Sequence, residues 1–326
     1  MPSSSTDISL PNDLATLALA RFDSLLASGK LNYGPSTPTT ITHNGFLVTS
    51  PFPLPPPPFS HKLTPSPQFS ISIPPALSQK PILPPSDPSR SKPGGPFLDP
   101  DPDFVLCDVG AKHVLELNKH CILRPMYILH TRAYEKQASD LSRADIQALW
   151  ALLLHLDPKG EEEAGPGTEQ RIMAIYNCGA EAGASQGHKH LQLFPQPAEP
   201  SAPRFELYPY QLTLSTETSS EHPTVPYRHA VLALPRDASA EDVYAVYGRL
   251  MGEMRPVMER EGVVDYNVVV VREWMLVIPR RHHGREGVEC NAVGMMGMVW
   301  VRDEEEREGW VRLGMTEHLR WLGIGV

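Results

Sequence analysis

No stretch of this sequence is apolar for long enough to cross a bilayer, so no membrane-spanning helix is expected. Cysteine is scarce. Cys107, Cys121, Cys178 and Cys290 are scattered through 326 residues, with no Cys-x-x-Cys pair and no framework spacing. A reduced intracellular compartment fits that usage best. The opening residues lack a basic run followed by an apolar one, so no secretory leader is read there. Positive charge is in deficit: a formal net charge of −9 argues against a general binder of nucleic acid or of anionic membranes. An anionic small-molecule partner would then need a local cationic pocket.

The length suffices for one large or two moderate domains. One stretch organises the chain. From Ile172 to Phe194 it reads as strand, Gly-rich turn, strand. Ile172 to Tyr176 is apolar, and Gly179, Gly183 and Gly187 with Ser185 have the composition of a tight loop that can approach a ligand with its backbone. From His188 the pattern has period two, so His188, His190 and Gln192 share one face of a strand and Lys189, Leu191 and Leu193 the other. Two imidazoles and an amide thus line up beside a loop whose N–H groups can cradle an anion. A neutral imidazole is a good nucleophile near neutral pH, and attack on phosphorus needs such a group, its tautomer held, with amide donors around the charged oxygens. Two other readings stand beside this one. Strand histidines can simply face solvent or a satisfied core, and His at i and i+2 can chelate zinc, although no Cys or acidic partner lies at short spacing.

The remainder is an ordinary mixed chain with one anomaly. Asn12 to Gly29 reads as a helix with Leu14, Leu17, Ala18, Phe22, Leu25 and Leu26 on its apolar stripe. Pro51 to Pro102 holds a large share of the 35 prolines. That run favours extended polyproline conformation and is read as a mobile surface insertion, with a docking site for a proline-binding module as the alternative. Inside it lies a strand-like island, Phe69 to Ile73. Phe104–Leu106, His113–Leu117 and Met126–Leu129 read as short antiparallel strands. Ser142 with Asp145 approximates a capping box for a helix to His155, and Glu161 to Glu163 belong to a solvated acidic loop. Tyr227–Leu234 reads as a strand, Ser239 caps a helix with a Met-rich core stripe, and Asp265–Val271 pairs with Trp274–Ile278. A weak similarity between Leu115–Thr131 and Tyr266–Arg280 suggests an internal pseudo-repeat.

Asn177-Cys-Gly, Gly183-Ala-Ser185 and His188-Lys-His190-Leu-Gln192 resemble the active-site run of the fungal diadenosine tetraphosphate phosphorylases (ATP adenylyltransferases). These belong to the histidine-triad superfamily, in the branch with galactose-1-phosphate uridylyltransferases. Lys80 before Pro81, Leu117-Asn118-Lys119, and Arg285 with Asn291 in the C-terminal run also look like family elements. The resemblance implies an α+β fold: a histidine-triad-like antiparallel sheet with flanking helices, in two related halves. It divides the chain into an N-terminal phosphorylase domain over 1–200, with the Pro-rich insertion at about 49–102, and a C-terminal ATP adenylyltransferase domain over 226–326.

The resemblance also implies the chemistry. His190 is the nucleophile, His188 positions it and Gln192 hydrogen-bonds the phosphate. Lys80, Asn118, Asn177, Gly183, Ala184, Ser185, Gln186, Arg285 and Asn291 hold the nucleotide and its phosphates; Asn118 reads equally well as a turn cap. The substrates are a dinucleoside polyphosphate and inorganic phosphate. No resident cofactor or protein-bound metal is expected, though a divalent cation such as Mg2+ can accompany the polyphosphate. A monomer in the cytoplasm, with the nucleus as a further location, completes the expectation. Two positions depart from the family pattern: Ala182 stands where a serine is expected and Gly187 where an aspartate is. A dinucleoside polyphosphate hydrolase and a nucleotide-binding sensor with decayed activity are the competing functions.

Overall fold

The computed structural model describes residues 8–34, 39–40, 69–80, 84, 86–157, 171–196 and 207–326. The acidic loop at 161–163 and the part of the Pro-rich run before residue 69 lie outside the described residues.

An eight-stranded antiparallel sheet carries the molecule. Its strands in chain order are β1 (Val105–Val109), β2 (His113–Leu117), β3 (Tyr127–Thr131), β4 (Ile172–Cys178), β5 (His190–Pro195), β6 (Ala230–Ala233), β7 (Asp265–Val270) and β8 (Trp274–Arg280). They lie side by side as β1-β2-β3-β5-β4-β7-β8-β6. β4 and β7 pair antiparallel at the centre, so the sheet runs without a break from the N-terminal into the C-terminal half of the sequence.

The halves are related. Each supplies a strand, a helix opened by a Ser-x-x-Asp capping box, and then a strand pair. In the first half these are β3, α2 (Arg143–Leu156, capped by Ser142 and Asp145), β4 and β5. In the second they are β6, α3 (Ala240–Arg260, capped by Ser239 and Asp242), β7 and β8. The order β3-β5-β4-β7-β8-β6 reverses about the β4–β7 seam. The repeat therefore matches 172–195 with 265–280. The sequence similarity between Leu115–Thr131 and Tyr266–Arg280 pairs the wrong strands, because generic strand-turn-strand patterning does not say which hairpin follows the equivalent helix.

Helices α2 and α3 cover one face. Leu191, Leu193, Ala174, Tyr176, Val268 and Val270 point at them and are buried. The two helices are tied to each other's approach segments: Trp150 Nε1 donates to the Ala238 carbonyl at 2.9 Å, and the Leu141 N–H donates to Tyr247 Oη at 3.1 Å. Lys189, between the two strand histidines, turns to this side. Its ammonium lies 3.0 Å from Asp145 and 3.0 Å from Glu135, and Asp145 in turn meets His113 at 2.7 Å. A charge buried this deeply needs such partners. Helix α1 (Leu14–Ala27) packs its stripe of Leu14, Ala18, Phe22 and Leu25 beside β1. Two C-terminal helices, α4 (Glu304–Leu313) and α5 (Met315–Leu322), have no counterpart in the sequence reading.

The Pro-rich run departs from expectation. Its described part is packed. Ser70–Ser72 pairs antiparallel with Thr39–Thr40 and parallel with Met298–Trp300. Phe69, Ile71, Ala76 and Phe97 are buried. Proline removes a backbone donor but leaves each intervening apolar side chain free to dock singly, and here they dock over the sheet's open face.

Candidate active site

The face opposite α2 and α3 bears a polar stripe. Register places His130 opposite His190, Ile128 opposite Gln192, and Asn177 opposite Asn267, so Glu116, His130, His190, Gln192, Asn177, Asn267 and Arg280 point the same way. Regular pairing in β5 begins only at His190; His188 makes an isolated bridge to Lys136. The alternation still holds, with Lys189 on the helix side.

His190 is oriented by backbone. Its Nδ1 lies 2.9 Å from the His188 carbonyl oxygen, an acceptor, so Nδ1 carries the proton and Nε2 keeps its lone pair. Its own N–H donates to Gln137 Oε1 at 2.7 Å, and Gln137 Nε2 donates to the carbonyls of Asn177 and His190. Burial pushes the His190 pKa down to about 4; the bond to the His188 carbonyl opposes this, and Lys80, His130 and His188 add to it. The ring is therefore neutral at pH 7. His188 acts on His190 through its carbonyl; its own Nε2 donates to the Thr131 carbonyl at 2.8 Å. Among the described residues no group of three or more His, Cys, Asp or Glu is placed to hold a metal ion.

Beside the stripe opens a cavity. Its lining includes Lys80, Asn118, Gly183, Ala184, Ser185, Gln192 and Asn291 from the sequence-derived set. Asn118 lines the cavity and also caps a turn, its Oδ1 accepting from the His120 N–H at 2.9 Å. Asn291 lines the cavity and caps the short helix Ala292–Met295. Gly183 has φ +85, and a Cβ there would fall 2.6 Å from the Cys290 carbonyl, so only glycine lets the loop close against the C-terminal half.

Other sites lie elsewhere. Asn177 is buried at the seam, its Oδ1 accepting from Asn267 Nδ2 at 2.8 Å and from the Ala292 N–H at 3.1 Å. Arg285 turns away from the cavity, its guanidinium 4.8 Å above the Trp321 ring. It shares a two-strand hairpin, Gly284–Arg285 with Val288–Glu289, whose twist the sequence does not announce. Gln186 is outside the lining and approaches Gly95. The N–H groups of Gly183 and Ala184 are used inside the turn, donating to the carbonyls of Ala180 and Gly179. Among the described residues those of Ser185 and Gln186 have no protein acceptor, so the anion cradle is narrower than the four residues expected.

The sequence reading missed several groups. Arg90, His120, His283 and Arg302 line the cavity beside Lys80. Arg90 Nη1 donates to the Ala184 carbonyl at 2.7 Å, tying the Pro-rich run to the Gly/Ser loop. Arg302 is balanced by Glu306 at 3.4 Å and Glu289 at 3.8 Å. Burial lowers the Lys80 pKa, Glu289 opposes that and Arg302 adds to it. The lining thus sets Lys80, Arg90 and Arg302 against Glu289 and Glu306, a small formal excess of positive charge in an acidic chain. The departures from the family pattern also find their places. Ala182 is buried and gives its carbonyl to Asn267 and Arg280. A Cβ on Gly187 would lie 2.1 Å from the Arg90 carbonyl oxygen, so the aspartate expected there has no room.

Comparison with known proteins accords with this architecture. Residues 79–212 match the model of the Ap4A phosphorylase N-terminal domain, and residues 223–325 that of the ATP adenylyltransferase C-terminal domain. Diadenosine 5',5'''-P1,P4-tetraphosphate phosphorylase 2 of Saccharomyces cerevisiae is 28% identical over 267 residues, covering 74% of this chain and 78% of the relative. Protein APA1 of the same yeast is 25% identical over 317 residues, covering 91% and 89%. The fold superposes on the crystal structure of yeast Ap4A phosphorylase Apa2 in complex with Ap4A with a TM-score of 0.75, at 22% identity over 97% of this chain and 99% of that one. Fold, motif run and both domain models agree, and the chain belongs to the Ap4A phosphorylase (ATP adenylyltransferase) family.

Proposed function

We propose that this chain is a nucleotidyltransferase that phosphorolyses diadenosine tetraphosphate to ATP and ADP by double displacement on His190. The observation that carries the reading is the hydrogen bond from His190 Nδ1 to the His188 carbonyl, which leaves Nε2 unprotonated on the polar face. Nε2 attacks the α-phosphorus of one adenosine; a P–N bond forms, the P–O bond to the remaining triphosphate breaks, and ATP departs. A phosphate oxygen then attacks the same phosphorus, the P–N bond breaks, and ADP departs with the ring restored as a neutral imidazole. Run backwards with ATP, the sequence builds diadenosine tetraphosphate.

Lys80, Arg90 and Arg302 supply the positive lining for the polyphosphate. Ser185 and Gln192, which border the same space, supply neutral hydrogen-bonding groups. Gln192 has no acidic proton, so the leaving nucleotide must depart as a stabilised anion, which a polyphosphate can do. That chemistry favours a good leaving group and a strong incoming nucleophile over water.

The test is a burst experiment. In phosphate-free buffer the protein should release about one equivalent of ATP per site and then nearly stop, carrying an acid-labile adenylyl group on His190. Added phosphate should restart turnover and yield ADP. Sustained AMP production without phosphate would make the protein a hydrolase. Nucleotide binding with neither burst nor label would make it a sensor.

A further inference from the structure

His190 is only 4% exposed and does not border the cavity, although Gln192, two residues along the same strand face, does. What closes it off is Phe97, from the Pro-rich run. The Phe97 ring stacks on His130 at a centroid distance of 5.0 Å and 18°, stands 5.0 Å from the His190 ring and 6.1 Å from that of His188. It therefore covers all three imidazoles at once. His130 forms the floor of this stack from the neighbouring strand, in register with His190.

The segment that delivers Phe97 is lightly held. From Lys92 to Pro100 the backbone hydrogen bonds are local turns, such as Leu98 N–H to the Gly95 carbonyl. Over residues 92–100 Phe97 is the one buried side chain. Gly94 and Gly95, with φ +157 and +87, lie just before it, and a Cβ on Gly94 would meet nothing within 4 Å. A phosphorus atom must come to about 3–3.5 Å from the attacking nitrogen, which the ring as placed prevents. Phe97 must yield for the first displacement, and the tether keeps it beside the reacting atoms.

Resting on the phosphorolysis reading above, we propose that Phe97 is a specificity-determining residue, an apolar cover on His190 that yields to the α-phosphate and then keeps water from the adenylyl-histidine. Phosphate, drawn to Lys80 and Arg302, reaches the phosphorus from the cavity side. Water attacking instead would form a P–O bond, break the P–N bond to leave a neutral ring, and lose a proton to solvent, releasing AMP. Phe97 lowers that leak by excluding water from one side of the intermediate.

Two readouts on the full chain test this, with thermal melting as the fold control. Diethylpyrocarbonate labelling of His190, read by peptide mass, should be about tenfold faster in F97A than in wild type, and the share of AMP against ADP at fixed low phosphate should rise by about the same factor. F97L, which keeps most of the apolar volume, should stay near wild type in both. Unchanged labelling in F97A would show that Phe97 does not cover His190 and would overturn the proposal. Faster labelling with an unchanged AMP share would confine Phe97 to packing and overturn it too. Wild-type protein that releases no nucleotide from diadenosine tetraphosphate would sink the reaction and the shielding role with it, while the labelling rates would still report whether the ring is covered.

Discussion

Asn177 and Asn267 stand directly opposite each other where the two halves meet, with Asn267 Nδ2 donating to Asn177 Oδ1 at 2.8 Å. Asn267 also donates to the Ala182 carbonyl and accepts from Arg280 Nη1, while Arg280 reaches the Cys290 carbonyl at 2.8 Å. The seam thus ties the Gly/Ser loop to the C-terminal run that borders the cavity. Replacing Asn267 by Leu leaves several buried groups unpaired, each costing about 1–3 kcal/mol. Urea denaturation should show a loss of that order or more, and N177L/N267L should lose less than the sum of the two single variants, since the pair is coupled. Simple additivity would mean the two amides do not act as a unit.

His190 should be indispensable. H190A should retain less than about a hundredth of wild-type turnover, because a covalent step is lost, while circular dichroism shows the sheet intact. Higher residual activity would place the nucleophile elsewhere.

The same ring sets a pH dependence. With its pKa pushed down to about 4 by burial, the nucleophile stays neutral well below the usual imidazole range. Single-turnover ATP release should hold level from pH 8 to about 5.5, whereas an ordinary imidazole would be half protonated near 6.5. Stability moves the other way from a salt-bridged histidine. Burial also lowers His130, His229 and His318 to about 4. Between pH 6.5 and 4 the unfolded chain takes up protons that the folded one refuses, so stability is full above about 6.5 and falls as the pH drops through that window. Denaturation midpoints equal at pH 7 and pH 5 would contradict this.

Cations in the cavity should discriminate by phosphate count. K80A and R302A should each weaken binding of a tetraphosphate by about tenfold or more, the worth of a charge-assisted contact, and should affect AMP far less. R285A, whose guanidinium lies on Trp321, should change neither. Calorimetry with both ligands decides; a selective loss in R285A would return that arginine to the phosphate track.

Gly187 should be intolerant of any side chain. G187A places a methyl against the Arg90 carbonyl, so the 84–100 segment should lift and become cleavable by limited proteolysis, with activity falling as well. G187D, which restores the family's residue, should behave the same way. Unaltered cleavage patterns would mean that the segment can shift without cost.

Much of the site was legible from local pattern. Period two at His188, His190 and Gln192 was enough to put those side chains on one face, because a strand alternates whatever it pairs with. Ser142 with Asp145 likewise marks a helix start, since a cap is a bond between near neighbours. The Gly/Ser loop was readable from composition, and its family likeness extended the reading to Lys80, Asn118 and Asn291, which the fold brings to one cavity.

What the sequence determined by itself was therefore a part of what depends on neighbours a few residues apart: strand alternation, helix caps and turn composition. Only the tertiary structure decided which distant groups converge. Arg90 and Arg302 reach the cavity from runs 212 positions apart, and no local signal distinguishes them from surface arginines. Arg285 looked equally fit, but a short hairpin turns it toward Trp321. Asn177 had a motif position yet went to the seam, because the β4–β7 pairing sets Asn267 opposite it. Phe97 lay in a run whose prolines suggested only an extended chain, and its place over His190 comes from docking of one side chain, which has no period to read.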